Sequence, residues 1–151
     1  DDFVWHEAAN QVAVWKEKFG ITLPVSVNLS RSDVFDPTLM ERLTDLVKDN
    51  GLDFDDIKLE VTESSYTNNG QELVEVVGDM RDLGFMIEMD DFGTGYSSLN
   101  MLSEMPFDVL KMYMRFVRNI EKSEKGTFRV KPHDVEDFRE IIDKYGLDWS
   151  Q

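Results

Sequence analysis

The segment Ile57–Thr62, with the sequence IKLEVT, decides the fold because apolar and polar residues alternate along it without interruption. A period of two is the pattern of a β-strand, in which successive side chains point to opposite faces of a sheet. One face would carry only apolar side chains and the other only polar ones: Ile57, Leu59 and Val61 against Lys58, Glu60 and Thr62. The segment is therefore predicted to be a strand that is buried on one side and meets a polar environment on the other.

Helical and extended patterns alternate on both sides of this strand. Residues 25–29, 85–90 and 107–112 are predicted to be three further strands. Apolar residues at spacings of three and four predict amphipathic helices over residues 3–19, 37–50, 71–83, 97–104 and 134–145, the second of them with Asp36 as its N-cap. Strands that alternate with helices pair in parallel through right-handed crossovers, so the fold class is α/β.

The distribution of polar residues along the strands favours one α/β architecture. Three of the four predicted strands have one fully apolar face, and all four carry a polar group near the C-terminal end. Strands buried on both sides would instead be nearly continuous apolar runs. The pattern is typical of a TIM-like (β/α) barrel, whose functional sites gather at the C-terminal ends of the strands. Complete barrels of this kind need about 250 residues, so a chain of 151 residues is predicted to form an incomplete barrel of about four parallel strands.

Six polar residues should converge at that end of the sheet: Asn28, Glu60, Glu63, Asp90, Asp91 and Lys111. Carboxylate and amide oxygens are hard donors that suit Mg²⁺ or Mn²⁺, and Lys111 could stabilise charge on a phosphoryl oxygen or orient a water. Two such ions about 3.5–4 Å apart would activate that water and hold a phosphate, which is the chemistry of phosphodiester hydrolysis. The alternative is that these residues are helix caps and solvated loop positions.

Two further residues on the polar strand face, Lys58 and Glu88, each lie two positions before a predicted site carboxylate. If their strands are neighbours, the two side chains fall in about the same layer and could pair beneath the site. The alternative is that both are solvated because the sheet is open there.

Composition excludes several classes of partner. The net charge is −15, which argues against a nucleic-acid polymer as ligand because such binding requires Lys and Arg to displace counterions. No apolar run is long enough to span a bilayer, and no charged-then-apolar leader is present. The absence of cysteine excludes disulfides and is compatible with the cytoplasmic location expected here. The chain begins with Asp1 rather than Met, as an excised piece of a longer protein would.

A ten-residue string at positions 90–99, DDFGTGYSSL, resembles the EAL-domain family of cyclic di-GMP phosphodiesterases. The strings VSVNLS at 25–30, LEVTES at 59–64 and PFDVLK at 106–111 match the same family in order and spacing, so that the resemblance runs from about residue 3 to residue 117.

The resemblance implies a modified (β/α) barrel that cleaves cyclic di-GMP to the linear dinucleotide with Mg²⁺ or Mn²⁺. It also implies roles for six residues of this chain. Asn28, Glu60, Asp90 and Asp91 would be metal ligands, and Lys111 would lie beside the catalytic water. Glu63 would brace the loop of residues 91–99, which the family uses in dimerisation and catalysis.

The sequence also departs from this family. The Glu-Ala-Leu strand that names the family is absent, and Tyr113 stands where the family usually has aspartate. The later Glu-Gly-Val-Glu segment is missing, and the resemblance is expected to stop after Glu121, with residues 126–151 showing no recognisable motif. Residues 3–120 are therefore predicted to be a partial EAL domain, and residues 121–151 a polar linker with an amphipathic helical tail.

These departures leave three hypotheses for function: a piece of a cyclic di-GMP phosphodiesterase, a degenerate EAL module that binds a nucleotide or a protein without hydrolysis, or a structural remnant without a ligand. The chain alone is predicted to hydrolyse cyclic di-GMP poorly or not at all. Unpaired sheet edges at residues 25–29 and 107–112, or the loop of residues 91–99, predict a homo-oligomer.

Overall fold

The structure, a computed structural model, describes residues 2–66, 70–92 and 104–112. The predicted helices over residues 97–104 and 134–145 therefore lie outside the described residues, apart from Glu104, which is helical. The boundary predicted at residue 120, Tyr113 and most of the loop of residues 91–99 also lie outside them.

Four strands in the described part of the chain form one parallel sheet: β1 Val25–Asn28, β2 Ile57–Thr62, β3 Met86–Phe92 and β4 Val109–Met112. Their order in the sheet is β1-β2-β3-β4, so every strand pairs with its neighbour in sequence. This confirms the predicted α/β class and the sequential arrangement. It also makes β1 and β4 the outer strands of the described sheet.

The helices are α1 Asp2–Phe19, α2 Arg31–Val34, α3 Leu39–Asp49 and α4 Gly70–Leu83. The predicted start of α3 was wrong: its N-cap is Thr38, two residues after Asp36. Asp36 Oδ1 instead accepts hydrogen bonds from Thr38 N at 2.8 Å and Thr38 Oγ1 at 2.7 Å, so its carboxylate holds the turn before the helix. The short α2 was not predicted.

The core lies between the helices and the apolar face of the sheet. The predicted inward faces of β2 and β3 are buried, that of β1 is buried except for the partly buried Val25, and apolar residues of α1, α3 and α4 cover them. Fully buried members of this core include Leu43, Leu46, Ile57, Leu59, Leu73, Met80, Ile87 and Met89. The opposite face of the sheet is the polar one, and it carries the predicted site residues. In the described part of the chain, no helix is long and apolar enough to cross a membrane.

Candidate functional site

The register of the sheet aligns three polar residues in one row across β1, β2 and β3. Asn28 is the cross-strand partner of Glu60, and Glu60 is the partner of Glu88. Because side chains at aligned positions of neighbouring parallel strands lie on the same face, all three belong to the polar face. Two of the predicted site residues, Asn28 and Glu60, are thereby neighbours, while Glu88 was predicted to lie beneath the site rather than within its row.

The end of β1 is held in place by α1. Trp5, which is 2% exposed, donates from Nε1 to the backbone carbonyl of Asn28 at 3.0 Å. The guanidinium of Arg42 lies 4.9 Å from the centroid of the Trp5 ring, so a cation–π contact fixes the indole from the other side. The backbone that presents Asn28 is therefore anchored, although the Asn28 side chain is exposed.

Lys111 on β4 reaches across to β2 and forms an ion pair with Glu60 Oε1. Its Nζ also lies 2.8 Å from Glu88 Oε2. The side chain of Lys111 is 39% exposed, whereas those of Glu60 and Glu88 are 11% and 4% exposed. One ammonium thus joins two nearly buried carboxylates on different strands.

Glu88 has three partners that between them engage both of its oxygens. Oε1 lies 3.3 Å from Lys58 Nζ, and Oε2 accepts from Ser26 Oγ at 3.0 Å in addition to Lys111. The predicted contact of Lys58 with Glu88 is confirmed, but the prediction that the two lie in one layer was wrong, because Lys58 aligns with Met86 and Glu88 aligns with Glu60. Lys58 is 29% exposed, so only the carboxylate half of this pair is buried.

The charges of this network shift the proton affinities of two of its members. Burial alone would raise the pKa of Glu88, but hydrogen bonds from Lys111, Ser26 and Lys58 outweigh it and hold the pKa of Glu88 below its ordinary value. Burial alone would lower the pKa of Lys111, but hydrogen bonds to Glu60 and Glu88 raise the pKa of Lys111 above its ordinary value. Both residues are therefore charged at neutral pH.

A β-bulge brings Asp90 and Asp91 to the same end of the sheet as Lys111. Met89 pairs with Leu110 and Phe92 pairs with Met112, so two residues of β3 stand against the single residue Lys111 of β4. At the bulge Asp91 adopts a left-handed backbone conformation with φ of 57°, and its N–H donates to Asp90 Oδ1 at 2.8 Å. The bulge allows Asp91 to be exposed and the next residue, Phe92, to return to the core at 1% exposure.

Glu63 lies immediately after β2, in the 3₁₀ turn Glu63–Ser65. It is 6% exposed, and the turn packs against β3. The loop that Glu63 is predicted to brace lies mostly outside the described residues, so this role stays a prediction.

The residue types at the strand ends fit a hard divalent cation. An amide oxygen and three carboxylates follow one another at the C-terminal ends of β1, β2 and β3. Within residues 2–66, 70–92 and 104–112, however, no three Asp, Glu or His side chains are close enough together to hold a metal ion. The carboxylate of Glu60 is engaged by Lys111 instead.

Comparisons with known proteins identify the family and the fold of this chain. The family model described as EAL domain matches residues 1–132, so the match extends beyond residue 121, where the resemblance was expected to stop. The cyclic di-GMP phosphodiesterase PdeR of Escherichia coli K12 is 37% identical over 116 residues, which are 77% of this chain and 17% of PdeR.

Two solved structures extend the comparison. The PaMucR phosphodiesterase in complex with c-di-GMP superposes with a TM-score of 0.74 at 25% identity, covering 97% of this chain and 57% of that chain. The Klebsiella pneumoniae protein BlrP1, in a complex with manganese and cy-diGMP, gives a TM-score of 0.62 at 27% identity, covering 79% of this chain and 31% of that chain. The chain thus spans about a sixth of the length of the curated relative, somewhat more than half of the PaMucR chain and about a third of the BlrP1 chain.

Proposed function

Because this chain belongs to the EAL domain family, we propose that it is a piece of a cyclic di-GMP phosphodiesterase and contributes part of that enzyme's active site. The relatives described above are named for cyclic di-GMP hydrolysis or contain cy-diGMP. The observation that carries the proposal is the contact of Lys111 with Glu60 next to the Asp90–Asp91 bulge. It brings the ammonium of Lys111 and several carboxylate oxygens to one end of the sheet.

Each proposed site residue has a role that its position supports. Asn28, Glu60, Asp90 and Asp91 would hold Mg²⁺ or Mn²⁺, a cation that supplies an activated water and neutralises phosphate charge when bound. Lys111, charged and 39% exposed, would orient that water or stabilise negative charge on the phosphoryl oxygens. Glu63 would fix the start of the loop that follows Asp91.

Lys111 and Glu60 must separate in part for both roles to operate. The ammonium of Lys111 contacts Oε1 of Glu60, and a bound Mg²⁺ or Mn²⁺ would need that carboxylate as a ligand. Lys111 has a second carboxylate partner in Glu88, so it can leave Glu60 without becoming an unpaired charge. The side chains could thereby exchange partners when a divalent cation arrives.

The alternative is a degenerate EAL module that binds the nucleotide or a protein without hydrolysing it. One observation favours it: in the described residues the acidic side chains do not form a metal cluster. The departures in sequence point the same way, because residues that act as a unit on one transition state lose most of their effect when any one of them is missing.

The test is an incubation of the 151-residue chain with cyclic di-GMP and Mn²⁺, followed by chromatographic detection of the linear dinucleotide. We expect hydrolysis that is slower by several orders of magnitude than that of an intact EAL phosphodiesterase assayed alongside. Calorimetric titration with cyclic di-GMP, with and without Mg²⁺, separates the two functions. Binding without product would favour the degenerate module, and the absence of both would contradict a nucleotide site on this chain.

A further inference from the structure

Glu88 is the most constrained charged residue of the polar sheet face. Its side chain is 4% exposed, and it is hydrogen-bonded or ion-paired to three residues: Lys58, Ser26 and Lys111. These partners come from β2, β1 and β4, so Glu88 on β3 is tied to every other strand of the described sheet. A buried carboxylate with this many donors has little freedom to move.

Lys111 is the more exposed of the two lysines in the same network. Its side chain is 39% exposed, and a lysine has four rotatable side-chain bonds and loses considerable entropy when it is fixed in one position. Contact with Glu60 alone would leave its ammonium free to swing into solvent, because a single pair at this exposure is weak. The second contact, at 2.8 Å to Glu88 Oε2, comes from a rigid acceptor.

We propose that Glu88 is a positioning residue that fixes the ammonium of Lys111 beside Glu60 at the C-terminal end of the sheet. Glu88 does not touch the reacting atoms in this scheme; it acts through Lys111. The Glu88 carboxylate is itself held by Lys58 on β2 and Ser26 on β1. The consequence for hydrolysis rests on the proposed function, whereas the placement of Lys111 does not.

The placement of Lys111 can be measured without any enzymatic activity. Under limiting acylation of the full chain, mass spectrometry gives the relative labelling rate of each lysine. In Glu88→Gln we expect Lys111 to be labelled about tenfold faster, a ratio that corresponds to about 1.4 kcal/mol at 25 °C. Lys16 is the internal reference, because it lies in a separate ion-pair cluster with Asp53 and Asp56 and should keep its rate.

A matched variant separates positioning from general loosening of the network. Lys58→Met removes a different partner of Glu88 and leaves the contact of Glu88 with Lys111 in place, so the labelling rate of Lys111 should stay within about twofold of the parent chain. Equal acceleration in Lys58→Met and Glu88→Gln would overturn the assignment. So would an unchanged Lys111 rate in Glu88→Gln, or a parallel rise at Lys16.

Should Glu88→Gln fail to fold, the double variant Lys58→Met/Glu88→Met offers an apolar pair of similar size and carries the same labelling test.

Where hydrolysis of cyclic di-GMP is measurable, Glu88→Gln should lower kcat by about 10- to 100-fold and change KM little, because a displaced ammonium affects the reaction rather than binding. Faster Lys111 labelling in a chain that neither binds nor hydrolyses cyclic di-GMP would support the positioning role and count against the proposed function. An unchanged kcat in an active chain would overturn the role in hydrolysis.

Discussion

The pair of Lys58 and Glu88 gives the most direct test of how the polar face of the sheet is stabilised. We consider Lys58→Met, Glu88→Met and the double variant, which replaces the pair by apolar side chains of similar size. A fully buried ion pair broken on one side costs about 3–5 kcal/mol, and a solvated pair under about 1 kcal/mol. Here the carboxylate is 4% exposed and the ammonium 29% exposed, at 3.3 Å, so the pair lies between these limits.

The expected magnitude follows from the partners that remain in each variant. Lys58→Met leaves Glu88 paired with Lys111 and Ser26, and Glu88→Met leaves two ammoniums that can reach water. Each single variant should therefore lose about 1–3 kcal/mol of unfolding free energy, the usual range for a charge-assisted hydrogen bond. The double variant should lose less than the sum by about 1–2 kcal/mol, because each single variant already removes the contact between the two residues and the second substitution cannot remove it again.

Urea unfolding followed by circular dichroism measures these differences. With a slope of about 1–3 kcal/mol per molar urea, a loss of about 2 kcal/mol moves the midpoint by about 1 M. Lys48→Met, at an exposed position on α3, is the control for loss of a lysine and should stay within about 0.5 kcal/mol of the parent. Single losses below about 0.5 kcal/mol that add up in the double variant would refute the reasoning.

Three further predictions concern metal, pH and assembly. Asp90→Asn should weaken Mn²⁺ binding and reduce the thermal stabilisation by Mn²⁺. Asp79→Asn, at an exposed position on α4, is the control and should change neither. Equal stabilisation of the parent and Asp90→Asn would show that the ion binds elsewhere. Hydrogen bonds to Asp53 and Asp56 raise the pKa of Lys16 from 10.5 to about 12. The contribution of Lys16 to stability is therefore complete below pH 10.5 and is lost as the pH rises through 12, so the difference in unfolding free energy between the parent and Lys16→Met should shrink over that interval. A constant difference would contradict the assigned ion pairs. Light scattering at micromolar concentration should detect a dimer or larger species because β1 and β4 end the described sheet, and a monodisperse monomer with sharp cooperative unfolding would be inconsistent with this.

The order of strands and the division into an apolar and a polar face could be predicted from the sequence. Both depend on local patterns: a period of two along each strand, and helical spacing between strands. The Lys58–Glu88 pair was predictable for the same reason, since sequential strands are usually neighbours. The family was identified from a ten-residue string whose residues lie mostly outside the described structure.

The bulge at Asp90 and Asp91 could not be predicted from alternation alone, and β3 was predicted to end at Asp90 instead of Phe92. Strict alternation would place Asp91 on the core side, where an unpaired carboxylate is costly. An extra residue in β3 avoids this, and two adjacent aspartates before a buried Phe92 are the signal that could have indicated it.

The contact between Glu88 and Lys111 was missed for a different reason. It depends on the pairing register of β3 with β4, and β4 is too short and irregular in pattern to fix a register from sequence. The short α2 was also missed, although its capping box of Ser30 and Asp33 is visible in the sequence. A four-residue helix has too few positions for a helical period to appear.

The sequential order of the strands has a consequence for how such a protein can be divided. Every strand in the described sheet forms its ladder of backbone hydrogen bonds only with the strand before it and the strand after it in the chain. A cut between two units therefore separates a single pair of strands, together with any side-chain contact that crosses it, such as that of Ser26 with Glu88 or of Lys111 with Glu60. A gene rearrangement or proteolytic cleavage between two units would release a fragment that keeps its internal strand pairing. Its newly unpaired edge strand could then pair with another chain. Architectures in which late strands insert between early ones do not have this property, because any cut there separates partners.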